Sequence, residues 1–228
     1  MKTAIVLFAL CMPALADLAA GRKALKKGHY ATAIKEFLPL AQQGNAAAQT
    51  DLGTMYFHGQ GVPQDYKEAV RWYRLAVAQG NASAQFDLGL MYDQGRGVPR
   101  DYKEAARLFR LSAAQGDASA QYNLAVMYDQ GRGVPQNYPE SARWYRLSAA
   151  QGDASAQYNL GLMYDQGRGV PQDYPESARW YRLAAAQGDG SAQYNLAGPR
   201  FRNVGNLVTS IGKELRVFTS RPAASVSQ

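Results

Sequence analysis

Ser210 and Lys213 stand three residues apart, the S-x-x-K spacing that sets a hydroxyl nucleophile beside a lysine base in penicillin-recognising enzymes. The S-D-N and K-T-G elements that such a site also needs are missing, which leaves the pair a chance match. No H-E-x-x-H, G-x-x-x-x-G-K-[ST] or G-x-S-x-G occurs. His29 and His58 lack catalytic partners in the sequence, one expected on a solvated face and the other in a turn. Cys11 is the single cysteine, which excludes an intrachain disulfide and a zinc site built on Cys and His. Asp93, Asp129 and Asp165 recur at a fixed interval instead of gathering at one place. The sequence therefore predicts a protein without catalytic residues, metal or cofactor. The chemistry that remains is recognition by rows of like residues. Phe86, Tyr122, Tyr158 and Tyr194 share one register, Asp87, Asn123, Asn159 and Asn195 the next, and Arg96, Arg132 and Arg168 a third.

These rows follow from a repeat. Gly80, Gly116, Gly152 and Gly188 are 36 residues apart, each closing an Ala-Gln-Gly stretch. Units 117–152 and 153–188 differ only at Ala125/Gly161, Val126/Leu162, Asn137/Asp173 and Ser148/Ala184. Units 45–80 and 81–116 follow the template more loosely, 17–44 holds a partial unit, and 189–197 begins another. Within a unit, Ala120, Leu124, Met127 and Tyr128 form an apolar stripe of helical period that predicts a first helix ending at Gly131. Gly131-Arg132-Gly133-Val134-Pro135 then turns the chain. A second helix follows, with Asp65/Glu68, Asp101/Glu104 and Asp173/Glu176 in the capping-box pattern, Pro175 in a first turn, and Ala142, Trp144, Tyr145 and Ala149 on its buried side. One such pair has too little core to stand alone, and stacked pairs share one, so the expected class is all-α, an α-solenoid of period 36.

The A-x-A-Q-Y-N-L-G opening at Ala154 to Gly161, Met163-Tyr164, the G-R-G-V-P turn at Gly167 to Pro171, Asp173-Tyr174, Trp180-Tyr181 and the closing Ala-Ala-Gln-Gly at 185–188 together resemble the Sel1-like repeat, a relative of the tetratricopeptide repeat. The resemblance spans residues 21–197 and implies a right-handed superhelix that serves as an adaptor or binding platform. It also implies that first helices line the concave side, where the Tyr and Asn rows lie. First helices stacked ~10 Å apart would advance an extended peptide, rising ~3.3 Å per residue, by about three residues per repeat. An asparagine amide offers that backbone both a donor and an acceptor. A plainer reading stands beside this one: the tyrosines pack between repeats and the asparagines bond neighbouring backbone. For Arg96, Arg132 and Arg168 the alternatives are acidic ligands or neutralisation by Asp93, Asp129 and Asp165 one turn away. Secreted relatives with paired cysteines are linked to penicillin binding and β-lactam hydrolysis, an enzymatic alternative whose cysteines this chain lacks.

The ends differ from the middle. Residues 1–16 place Lys2 before the apolar run Ala4 to Met12, then Pro13, with Ala14 and Ala16 at the minus-three and minus-one positions of a secretory signal peptide cut after Ala16. The run is far shorter than the ~20 residues that cross a bilayer. The expected location is periplasmic or extracellular. Net charge is +7, but residues 45–188 hold 14 basic and 14 acidic residues, so the excess lies at the termini and argues against nucleic acid. A third reading gives those basic ends, Lys23, Lys26 and Lys27 among them, a lipid or polysaccharide surface. Agreement with the repeat stops at Gly198, and in the tail 198–228 Val204, Leu207, Val208, Ile211 and Leu215 have the spacing of a capping helix. The leading expectation is an exported, monomeric, non-catalytic platform for a protein or peptide partner, with no membrane span.

Overall fold

The computed structural model describes residues 16–201. It is all-α over those residues, built from stacked helix pairs at the 36-residue period. Packing divides the chain after Arg100 into two compact units. The first holds α1 (Leu18–Lys26), α2 (Tyr30–Gln42), α3 (Ala46–His58), α4 (Tyr66–Ala78) and α5 (Ala82–Gln94). The second holds α6 (Tyr102–Ala114), α7 (Ala118–Gln130), α8 (Tyr138–Ala150), α9 (Ala154–Gln166), α10 (Tyr174–Ala186) and α11 (Gly190–Ala197). α1 gives the partial unit at 17–44 a short first helix. The proposed tail helix from Val204 and the Ser210/Lys213 pair lie outside the described residues.

Each first helix from α3 on begins at an Asn or Asp whose side chain accepts the N–H three residues on, as Asp153 does from Ala156. Each complete one from α3 on ends at a left-handed glycine: Gly59, Gly95, Gly131 or Gly167. The second helices begin at Asp65, Asp101, Asn137 and Asp173. Here the capping box is only half built. Asp173 accepts from the Glu176 N–H, but its own N–H is taken by the Tyr164 carbonyl, and the Glu176 carboxylate turns forward to Arg179 at 2.7 Å. Glu68–Arg71, Glu104–Arg107 and Glu140–Arg143 repeat this pair.

In the first unit Ala33, Phe37, Ala48, Leu52 and Met55 are sealed from solvent around Trp72. In the second, Leu124, Met127, Leu160 and Met163 are fully buried along the first helices, each contributing about 1.5–3 kcal/mol. Two kinds of polar link join the pairs. The Ser177 hydroxyl donates to the Gly161 carbonyl at 2.8 Å within a repeat. Between repeats, the buried Gln157 amide donates to the Ala149 carbonyl of the preceding second helix at 3.1 Å and accepts from Gln187 at 2.9 Å. Gln121 does the same with Ala113 and Gln151, and Gln49 with Ala41 and Gln79.

The turn between helices needs its second glycine for two reasons. Gly169 has φ +73°, and a Cβ there would strike the Tyr138 carbonyl. Gly152 has φ +96° but open space around it. Gly169→Ala is therefore expected to cost about 2–4 kcal/mol and Gly152→Ala only about 1–2, measured by urea unfolding of the two variants.

Candidate functional site

In the second unit the tyrosine row packs inward. The Tyr122 ring lies 5.8 Å from Tyr145, and Tyr158 lies 5.8 Å from Tyr181, in each case on the second helix of its own repeat. Tyr194 belongs to the truncated unit, has no such partner helix among the described residues, and is 81% exposed. Asn123 and Asn159 are half-buried, and each donates one amide N–H to a carbonyl one turn back in its own helix, Ser119 at 2.8 Å and Ser155 at 2.9 Å. Burial raises the Tyr122 hydroxyl above its ordinary pKa, the Asp153 carboxylate adds to the shift, and a hydrogen bond from Asn159 opposes it. Tyr181 is pushed up to about 12, chiefly by burial. Tyr145 is also raised by burial.

The turn arginines work across repeats. Arg168 reaches the Asp129 carboxylate of the preceding repeat at 2.8 Å, not the Asp165 of its own turn, and its guanidinium lies 5.0 Å from the Tyr138 ring. Arg132 lies 5.0 Å from Tyr102. Both partners of the Arg168 pair are partly shielded, so this joint combines an ion pair with a cation–π contact worth about 1 kcal/mol apiece. The sequence reading missed the last member of this series. Counting 36 from Arg168 arrives at Val204, but Arg200 takes the place, 2.7 Å from Asp165 and 5.4 Å from the Tyr174 ring. It comes one helical turn early. Next to it Phe201 is buried edge-on against Tyr181 and Tyr174. An Arg-aromatic pair after the last repeated helix is the signal that would have marked it.

In the first unit Asp87 lines a groove of about 320 Å³ on the first-helix side, together with Thr54, Phe57, His58, Tyr73 and Arg96. Tyr73 and Thr54 share a hydrogen bond of 3.1 Å between their hydroxyls, and burial raises the Tyr73 pKa. Arg96 also lies 5.5 Å from the Phe57 ring. Phe86 is half-buried beside it on α5. In the second unit Tyr194 and Asn195 line a groove of about 360 Å³ with Asp165, Arg200 and Phe201. His29 caps α2 without a side-chain hydrogen bond, and His58 stacks edge-on against Phe57 at 4.9 Å. Among the described residues no three His, Cys, Asp or Glu side chains gather to hold a metal, and no helix is long and apolar enough to cross a membrane.

The Sel1 repeat model matches residues 46–81, 82–117, 118–153 and 154–189. The chain belongs to the Sel1 repeat family. A Sel1 repeat protein from Oxalobacter formigenes is 37% identical, with a TM-score of 0.75 over 79% of this chain and 74% of that one. c5321, a protective antigen of uropathogenic Escherichia coli, is 40% identical with a TM-score of 0.68, over 70% of this chain and 34% of that one, so the alignment takes in about a third of the antigen. A Sel1 repeat protein from Klebsiella pneumoniae shares the fold at 19% identity and a TM-score of 0.53, over 82% of this chain and 91% of that one. No functionally curated protein matches the chain. In this Sel1 repeat protein the buried tyrosines set an alkaline limit. Tyr181 stays protonated in the fold up to about 12 and ionises near 10 once unfolded. The native state thus holds more protons in that window, and stability is full below pH 10 and lost as pH rises towards 12. Thermal unfolding followed against a tyrosine ultraviolet titration should show both changes together, and Tyr181→Phe should move the loss to higher pH.

Proposed function

We propose that this Sel1 repeat protein is exported and acts as a non-catalytic platform that binds an extended segment of another protein along its first helices. The observation that carries this reading is the groove of about 320 Å³ in the first unit. It brings Asp87 and Arg96, two residues marked by their sequence register, beside the Tyr73 hydroxyl and the Phe57 ring. A groove with both charge signs, hydroxyls and an aromatic wall suits a peptide, which offers carbonyls, N–H groups and side chains together. The second unit carries Tyr and Asn rows on its own first helices. Beyond its bond to its own helix, Asn123 has a second amide N–H, and both Asn123 and Asn159 have carbonyl capacity for a peptide backbone. Tyr158, Tyr194 and Asn195 complete that row, and in the first unit Arg96 gives the groove a cation for acidic groups.

Export is supported at the start of α1. The Asp17 side chain caps the helix at the Ala19 N–H, and its backbone N–H donates to the Glu36 carboxylate at 2.8 Å. Cleavage after Ala16 would leave α1 whole and would convert that N–H into an ammonium group facing Glu36, strengthening the contact. Protein recovered from the periplasm or medium should begin at Asp17 on N-terminal sequencing. Material that stays in the cytoplasm with residues 1–16 attached would overturn the export reading.

The partner is tested by pull-down from periplasmic extract with the wild type and a variant carrying Asn123→Ala, Asn159→Ala and Asn195→Ala. Partners retained by the wild type should fall by roughly tenfold or more with the variant. Equal recovery by both baits rejects the Asn row as the contact.

A further inference from the structure

The second helices present a face of their own, and packing leaves part of it uncovered. Leu75, Leu111, Leu147 and Leu183 occupy one register and are 42, 40, 42 and 41% exposed, whereas nearly every other large apolar side chain of these helices is buried. Each follows an exposed arginine: Arg74, Arg110, Arg146 and Arg182. The helices that carry them are basic. α6 has three basic residues and one acidic, α8 and α10 two and one, while the first helices α7 and α9 carry only an aspartate each. Arg110 and Arg146 are held in place by the Tyr128 and Tyr164 hydroxyls at 3.0 and 2.9 Å, so their remaining donors project from fixed positions.

The first unit shows what lies between two such leucines. A groove of about 460 Å³ runs from Leu38 on α2 to Leu75 on α4, with Trp72 and the ion pair of Arg71 with Glu68 along it. A recess with apolar walls is complementary to a protruding apolar side chain, and the arginine before each leucine to carboxylates flanking that side chain.

We propose that the second-helix face of the second unit is a docking surface for an acidic amphipathic helix of a partner protein, laid across α6, α8 and α10. Charge complementarity carries this: Arg110, Arg146 and Arg182 each stand beside an exposed leucine. A second copy of this chain is disfavoured, because two such faces would oppose arginine with arginine. An anionic bilayer is the alternative that the vesicles below distinguish. The surface is separate from the first-helix face, and its test is independent of the one given above.

The probe is a synthetic helix of about 21 residues with leucine at every seventh position and glutamate on the flanking positions. It is compared by fluorescence anisotropy with a twin carrying lysine for glutamate, and with phosphatidylglycerol vesicles. The full mature chain should bind the acidic helix and not the basic one. Combining Leu111→Ser, Leu147→Ser and Leu183→Ser should weaken binding by roughly tenfold or more with the helical signal unchanged. Arg110→Glu with Arg146→Glu should do the same, and serves if the serine variant folds poorly. The Asn123, Asn159 and Asn195 alanine variant should bind like wild type. No binding of the acidic helix, equal binding of its basic twin, equal binding by both groups of variants, or binding to the vesicles alone would overturn the proposal.

Discussion

The amide of one buried glutamine per repeat holds the joint between helix pairs. Gln157 is 4% exposed, its N–H satisfies the Ala149 carbonyl of the repeat before, and its oxygen receives the Gln187 amide of its own repeat. That carbonyl also accepts the Gly152 N–H at 3.0 Å, so the glutamine adds a second bond to a group already paired at the helix end. Its side chain ties one second helix to the next first helix, so the distance between them is set by a hydrogen bond as well as by packing. The serine hydroxyls within a repeat and the arginine pairs across its turn act on top of that spacing. Without the amide link the apolar stripes would still attract each other but would not share one register.

What the sequence revealed was local. The apolar stripe from Ala120 to Tyr128, the Asn and Asp caps and the left-handed glycines each involve residues within one turn or one hairpin, where spacing alone determines the partner. The half-built capping box shows the limit of that logic. Glu176 lies at the right distance from Asp173, but a carbonyl from the preceding helix reaches the cap first, and no spacing rule reports that competition. The turn arginines were placed correctly and given the wrong neighbour: the Asp129 that Arg168 meets is 39 residues away and becomes near only after the repeats stack. The rows at Tyr122 and Asn123 were visible as rows, while their depth in the surface depended on how Tyr145 packs beneath them. The second-helix leucines escaped notice because an apolar residue on an amphipathic helix reads as core until the neighbour that should cover it is seen to be absent.

The two helix layers thus differ in chemistry as well as in order. First helices carry hydroxyls, amides and carboxylates beside aromatic rings; second helices carry guanidinium groups around leucine. Under the two proposals made above, a scaffold so divided holds two unlike ligands at once, one on each set of helices.

Arg200 and Phe201 show how little is required to finish such an array. A guanidinium over Tyr174 and beside Asp165, with one ring against Tyr181, stands where a further copy would place its turn arginine. The Arg168 and Arg200 joints use the same groups, an aspartate and a tyrosine ring of the repeat before. A gene encoding nearly identical 36-residue stretches can lose or duplicate one by in-frame recombination, and the product would keep such a joint. Strains of one species could in that way carry versions of different reach, all folding from the same parts.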